Sequence, residues 1–167
     1  MLKIDRNTTC EAFMPFANLV KDEQMDELRQ AAVRDKFGDA GFYAMSVGDF
    51  TSVLSGDVRP LMQSGGRTVF DACRVEAFRL FVDELAATLK RLTVPPTAES
   101  MKLNAGTMPS EFTESVYLFC RSYFNLHSFE AADKLRLSEF VLAKKDDYNR
   151  QVVERNAAAS MKKGGKA

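Results

Sequence analysis

The chain has 167 residues, of which 46% are hydrophobic and 28% are charged. This length suits one domain, and the composition lies near the globular average, which excludes a chain that is disordered throughout. Lys and Arg number 23, as do Asp and Glu, so the formal net charge is zero. A balanced chain lacks the field of one sign that attracts nucleic acid or a membrane surface to a whole domain.

The N-terminal part of the chain carries the signals of two helices. Thr8 and Glu11 have the spacing of a helix cap, and Pro15 interrupts the short helix that they start. A stronger helix is predicted over residues 22–37, because apolar residues recur on one side and Gly38 provides a C-terminal stop.

Residues 38–54 predict an aromatic loop followed by a short helix that begins at Ser46, with Asp49 three residues later. Strand signals are sparse. Residues 42–47 and 101–103 could form a minor strand pair at most.

The clearest helical signal covers residues 68–92, which contain neither Gly nor Pro. Thr68, with Asp71 three residues later, is a helix-start signature. Apolar residues recur at three- and four-residue steps and cover more than one stripe, which predicts a central helix buried by several neighbours. Three of its side chains are expected to be almost fully buried: Phe78, Phe81 and Leu85.

Residues 93–109 interrupt the helical pattern, because Pro95 and Pro96 cannot continue a helix. This Ser/Thr/Asn/Gly-rich segment is the only internal domain boundary that the sequence suggests, and a loop within one domain is the alternative. The next helix is predicted over residues 110–124, with an apolar inner side.

A turn at residues 128–133 leads into a last helix, predicted to start at Ser138. Its apolar spacing ceases after Val153, so we expect a single helical domain over residues 1–155 and a flexible basic tail over residues 156–167. The whole pattern predicts an all-α fold: an irregular bundle of five to seven helices around the long central helix, with little or no β structure.

Chemistry-bearing residues are scattered. Cys10, Cys73 and Cys120 are odd in number, far apart and without a C-x-x-C pair, which favours free thiols in a reducing compartment. His127 is the only histidine, and the metal-ligand spacings of zinc and helical carboxylate sites are absent from the sequence. A Cys120–His127 dyad is disfavoured, because that cysteine lies in an apolar stripe. We therefore expect no cofactor, no metal and no catalytic cluster.

The best candidate for a small site is the loop before the central helix: Gly65, Gly66, Arg67 and Thr68. Backbone N–H groups at a helix N-terminus attract anions, and glycines permit close approach. The phosphate-loop and dinucleotide-loop motifs are both missing, however, and a Gly–Gly turn between two helices needs no ligand.

The C-terminal region is the second candidate. From Lys144 onward there are seven basic and three acidic residues, so this end could steer an acidic protein or touch phosphates, although short lysine ends often serve only solubility. The candidate partner-binding residues are Lys144, Lys145, Tyr148, Arg150, Val152, Val153, Arg155, Lys162, Lys163 and Lys166.

Three functions remain open. The leading hypothesis is a non-enzymatic interaction or assembly protein, by association a phage-encoded assembly helper or virion component, with another protein or a second copy as partner. The first alternative is an accessory protein that contacts nucleic acid through its basic C-terminal helix and tail. A continuous basic face of Arg121, Lys134, Arg136 and Lys144 would favour it. The second is a small enzyme with an anion site at residues 64–68.

The sequence also predicts a location. No apolar run approaches the roughly 18 residues that a membrane span requires. Charge follows the initial Met at once, without an apolar signal core. We expect a soluble protein of the cytoplasm or the virion.

Overall fold

The computed structural model describes residues 4–107 and 111–164, with side chains up to residue 161. Within these residues there are eight α-helices and no strand, which confirms the all-α prediction and adds one helix to the expected maximum. The helices are α1 (Cys10–Phe13), α2 (Asp22–Phe37), α3 (Val47–Leu54), α4 (Val69–Arg91), α5 (Ala98–Leu103), α6 (Phe112–Tyr123), α7 (Phe129–Asp133) and α8 (Leu137–Gly164). Three 3₁₀ segments lie between them: Met14–Leu19, Gly38–Ala44 and Arg59–Leu61.

The predicted caps account for the starts of several helices. The Thr68 hydroxyl accepts a hydrogen bond from the Asp71 N–H at 3.3 Å and begins α4. Ser46 does the same for α3, and α2 ends at Gly38, whose φ of 67° suits glycine. At α1 the cap is Thr9 rather than Thr8.

Two local predictions are wrong. The strand pair does not form, because residues 42–44 lie in a 3₁₀ segment and residues 101–103 lie in α5. The segments predicted as a loop and a turn each contain a short helix, α5 and α7, capped by the hydroxyls of Thr97 and Ser128.

The main core is aromatic. The Phe42 ring contacts Phe37, Phe78 and Phe81 with centroid distances of 5.3, 5.4 and 5.2 Å. Phe78 and Leu85 are buried as predicted, but Phe81 is only half-buried. The reason is that Phe81 lies at the edge of this cluster, against the exposed ring of Tyr43.

The N-terminal segment runs beside the start of α4. The Cys10 N–H donates to the Arg67 carbonyl at 3.0 Å, and the Val69 N–H donates to the Thr8 carbonyl at 2.9 Å. These bonds place α1 over a second, smaller apolar cluster, whose buried members are Ala32, Val69, Phe70 and Cys73.

The first turn of α8 is fixed by the loop before α3. The Val47 N–H donates to the Leu135 carbonyl at 2.7 Å, and the Leu137 N–H donates to the Met45 carbonyl at 2.8 Å. The helix therefore begins one residue before the predicted Ser138. Its backbone stays helical to Gly164, and the described side chains from residue 156 onward are exposed.

Candidate functional site

The loop of residues 64–68 surrounds an internal carboxylate. Asp71 is fully buried and accepts hydrogen bonds from the N–H groups of Gln63 (2.9 Å), Ser64 (3.0 Å) and Gly66 (2.9 Å). Gly65 and Gly66 have φ values of 64° and 81°, which let the loop turn its N–H groups inward. The sequence made this loop a candidate site for an anion, and in the structure three N–H groups of the loop and its flank bind the chain's own carboxylate.

Arg74 completes this arrangement from one helical turn further on. Its guanidinium donates to the Asp71 carboxylate, to the Leu61 carbonyl at 2.7 Å and to the Ala32 carbonyl at 3.1 Å. Asp35 lies 3.9 Å away at the edge. Arg74 thus joins α2, the Arg59–Leu61 turn and α4, and its side chain is only 1% exposed. The helical spacing of residues 68–92 did not mark Arg74 as important, because a lone arginine on a helix is usually solvated.

The charge state of Asp71 follows from opposing effects. Burial raises the pKa of a carboxyl group, but the backbone N–H groups of Gln63, Gly66 and Ser64, together with Arg74, outweigh burial and hold the Asp71 pKa below its usual range. The Asp71 carboxylate is therefore ionised at neutral pH. An external anion at this loop would have to compete with Asp71, while Arg67 is exposed and Thr68 is buried as the helix cap.

The cysteines are all free thiols, as predicted. Cys73 and Cys120 are buried, and burial raises the pKa of each to about 11, whereas Cys10 is half-buried. Because thiols with so high a pKa are poor nucleophiles, Cys73 and Cys120 are poor candidates for catalysis. His127 is exposed. Over residues 4–107 and 111–161, no group of three or more His, Cys, Asp or Glu side chains could hold a metal ion.

The four basic residues that the nucleic-acid hypothesis brings together lie in different surroundings. The Lys144 ammonium lies 3.7 Å from the centre of the Phe119 ring, and burial lowers its pKa. Lys134 pairs with Glu130 at 2.8 Å, and Arg121 and Arg136 are exposed. Two of the four residues therefore already have a partner within the chain, Glu130 for Lys134 and the Phe119 ring for Lys144.

The other predicted partner-binding residues divide between inner and outer surfaces of α8. Arg155 donates to the Pro95 carbonyl at 2.6 Å, which ties the helix to the segment after α4. Tyr148 and Val152 are half-buried, whereas Val153 is 66% exposed. Lys145 is exposed, and Arg150 pairs with Asp147 at 2.8 Å. The side chains of Lys162 and Lys163, and all of Lys166, lie outside the described residues.

An apolar cleft near the N-terminus was not predicted. It has a volume of about 510 Å³ and lies between the first residues of the described chain and α2. Phe16 and Leu19 line it and are 43% and 76% exposed. Gln24 and Glu27 also line it. The sequence carries a signal for this cleft, because large apolar residues follow Pro15. Pro15 interrupts the helix that would otherwise turn these residues inward.

A polar cleft of about 360 Å³ lies where α3, α6 and α7 meet. The Tyr117 hydroxyl donates to Asp133 at 2.6 Å and lies 3.0 Å from the Thr51 hydroxyl. Burial and then the Asp133 contact raise the Tyr117 pKa, so the phenol stays protonated. Gly48 permits this packing, because a Cβ there would lie 2.8 Å from the Asp133 Cβ. The network holds three helices together.

In the described part of the chain, no helix combines the length and the apolarity needed to cross a bilayer. Comparisons with protein-family models, curated proteins and solved structures found nothing that matches this chain. The function is therefore argued from its own surfaces.

Proposed function

We propose that this chain is a non-enzymatic assembly protein that uses its N-terminal cleft to bind an apolar segment of another protein. The single observation behind the proposal is the exposure of Phe16 and Leu19 on one concave surface. Exposed apolar residues that cluster in this way commonly mark interaction sites, whereas isolated ones need no explanation.

The chemistry of the cleft suggests what the partner presents. Most of its lining residues are apolar, and Glu27, which also lines it, has no ion-pair partner among the described residues. Glu23 is exposed on the preceding turn of α2. An amphipathic helix with large apolar residues and a few lysines or arginines matches such a surface.

The exposed end of α8 is a second candidate surface. Val153 and Met161 are 66% and 78% exposed on a helix that continues past the Arg155–Pro95 hydrogen bond to Gly164. A projecting helix of this kind suits a groove on a partner, with the lysines that follow in the sequence guiding its approach.

The experiment is affinity capture from the native host, followed by mass spectrometry, with Leu19→Asp and Leu103→Asp as a matched pair. Leu103 is 83% exposed on α5, away from the cleft, so it controls for the added charge. Leu19→Asp should lose a partner that the unmodified chain and Leu103→Asp both retain. Equal capture by all three would exclude the cleft as the binding surface.

Titration with random duplex DNA at low and moderate salt distinguishes the assembly proposal from the nucleic-acid alternative. The assembly proposal expects weak binding at both salt concentrations. Tight binding that falls steeply with salt would instead favour phosphate contacts through the C-terminal lysines.

A further inference from the structure

A second apolar cleft lies between the C-terminal end of α4, α6 and α8, and its volume is about 440 Å³. Pockets of this size are typical of small-molecule sites. The apolar lining comes from all three helices: half-buried Leu89 and exposed Phe112, together with the almost fully buried Val116 and Phe140. Two lysines also line it, Lys90 and Lys144.

The charge in this cleft is positive. The ion pairs among the described residues include neither Lys90 nor Lys144. Asp147 is the one carboxylate in the lining, and its two oxygens already accept hydrogen bonds from Arg150 and Gln151, each at 2.8 Å. The charge of Asp147 is thus largely balanced by Arg150, which lies on the same helix.

We propose that this cleft binds a single medium-chain fatty carboxylate, with its acyl chain on the apolar wall and its carboxylate beside Lys144 and Lys90. Lys144 is half-buried over the Phe119 ring, and burial lowers its pKa. Lys144 makes no ion pair among the described residues, and a carboxylate would supply one. The apolar wall explains why the anion should carry a hydrocarbon chain rather than be a free phosphate or sulfate.

The test is calorimetric titration with dodecanoate below its micellar concentration, beside dodecanol and dodecyltrimethylammonium. Dodecanoate should bind with a stoichiometry of one. Dodecanol should bind at least about tenfold more weakly, because a charge-assisted contact is lost. The cationic amphiphile should show no saturable binding. Equal affinity for all three, or several dodecanoate molecules per chain, would overturn the proposal.

Variants then locate the site. Lys144→Gln should weaken dodecanoate binding at least about tenfold, whereas Lys145→Gln, at the exposed neighbouring position, should not. Ala86→Trp should block binding, because Ala86 is exposed and faces the cleft, so the indole fills it without entering the core.

Leu19→Asp separates the two apolar clefts and should leave dodecanoate binding unchanged. If Leu19→Asp abolishes binding while Ala86→Trp does not, the carboxylate binds at the N-terminal cleft and the proposal is wrong. That result would not contradict the proposed assembly function, because partner capture tests that function separately.

Discussion

Arg74 donates to the carboxylate of Asp71 one helical turn before it, and neither side chain is more than 1% exposed to solvent. A buried ion pair is not a strong source of net stability, but breaking one is costly because it strands a charge. Here both partners also bind backbone groups, so the pair fixes the relative positions of α2, α4 and the loop before α4.

Arg74→Met should lower the free energy of unfolding by about 3–5 kcal/mol, because it leaves the Asp71 charge buried without its partner. Urea denaturation monitored by circular dichroism measures this loss. The double variant Asp71→Asn/Arg74→Met should lose less than the sum of the two single changes, since it removes both charges. Strict additivity would show that the two residues act independently.

The same pair predicts a pH dependence. The Asp71 pKa is lower in the folded chain than its unfolded value of about 3.9, so its contribution to stability is complete above about pH 4 and is lost as the pH falls through the folded pKa. The difference in unfolding free energy between the unmodified chain and Asp71→Asn should therefore shrink below pH 4. A difference that stays constant between pH 7 and pH 3 would contradict the lowered pKa.

Phe78 and Phe81 should differ in their contributions to the core. Phe78→Ala should cost about 3–5 kcal/mol through lost burial and the resulting cavity. Phe81→Ala should cost clearly less, because Phe81 is already half-exposed beside Tyr43. Thermal and urea denaturation of both variants test the order. A larger loss of stability in Phe81→Ala than in Phe78→Ala would contradict the position of Phe81 at the edge of the cluster.

Thiol reactivity should follow burial. In the native state at pH 8, Cys10 should react first with a disulfide reagent such as DTNB, because Cys73 and Cys120 are buried and have pKa values near 11. Cys10→Ser should remove the fast phase, and denaturant should make the two remaining thiols react together. A fast phase that survives in Cys10→Ser would place another thiol at the surface.

Truncation separates the docked part of α8 from its projecting end. Deleting residues 156–167 should leave the melting temperature nearly unchanged, because residues 156–161 are exposed. Deleting residues 148–167 should lower it, since Tyr148, Val152 and the Arg155–Pro95 hydrogen bond are lost. Equal melting temperatures for both truncations would mean that α8 contributes nothing beyond its first turns.

The sequence by itself determined the features that depend on near neighbours in the chain. Caps act over three residues, so Thr68 and Ser46 correctly predicted the starts of α4 and α3. Amphipathic spacing acts over one or two turns, so the long central helix and the all-α class followed from the pattern.

Only the tertiary structure decided which segments meet. Phe81 and Phe78 both belong to the apolar pattern of α4. The half-exposure of Phe81 depends on where the segment that contains Tyr43 packs against α4. Gly65 and Gly66 predict an anion-binding turn, but whether the anion comes from outside depends on the orientation of Asp71. Arg74 could be recognised as a central residue only once Leu61 and Ala32, from distant parts of the chain, presented their carbonyls to it. Such contacts arise from the packing of whole helices, which local spacing does not specify.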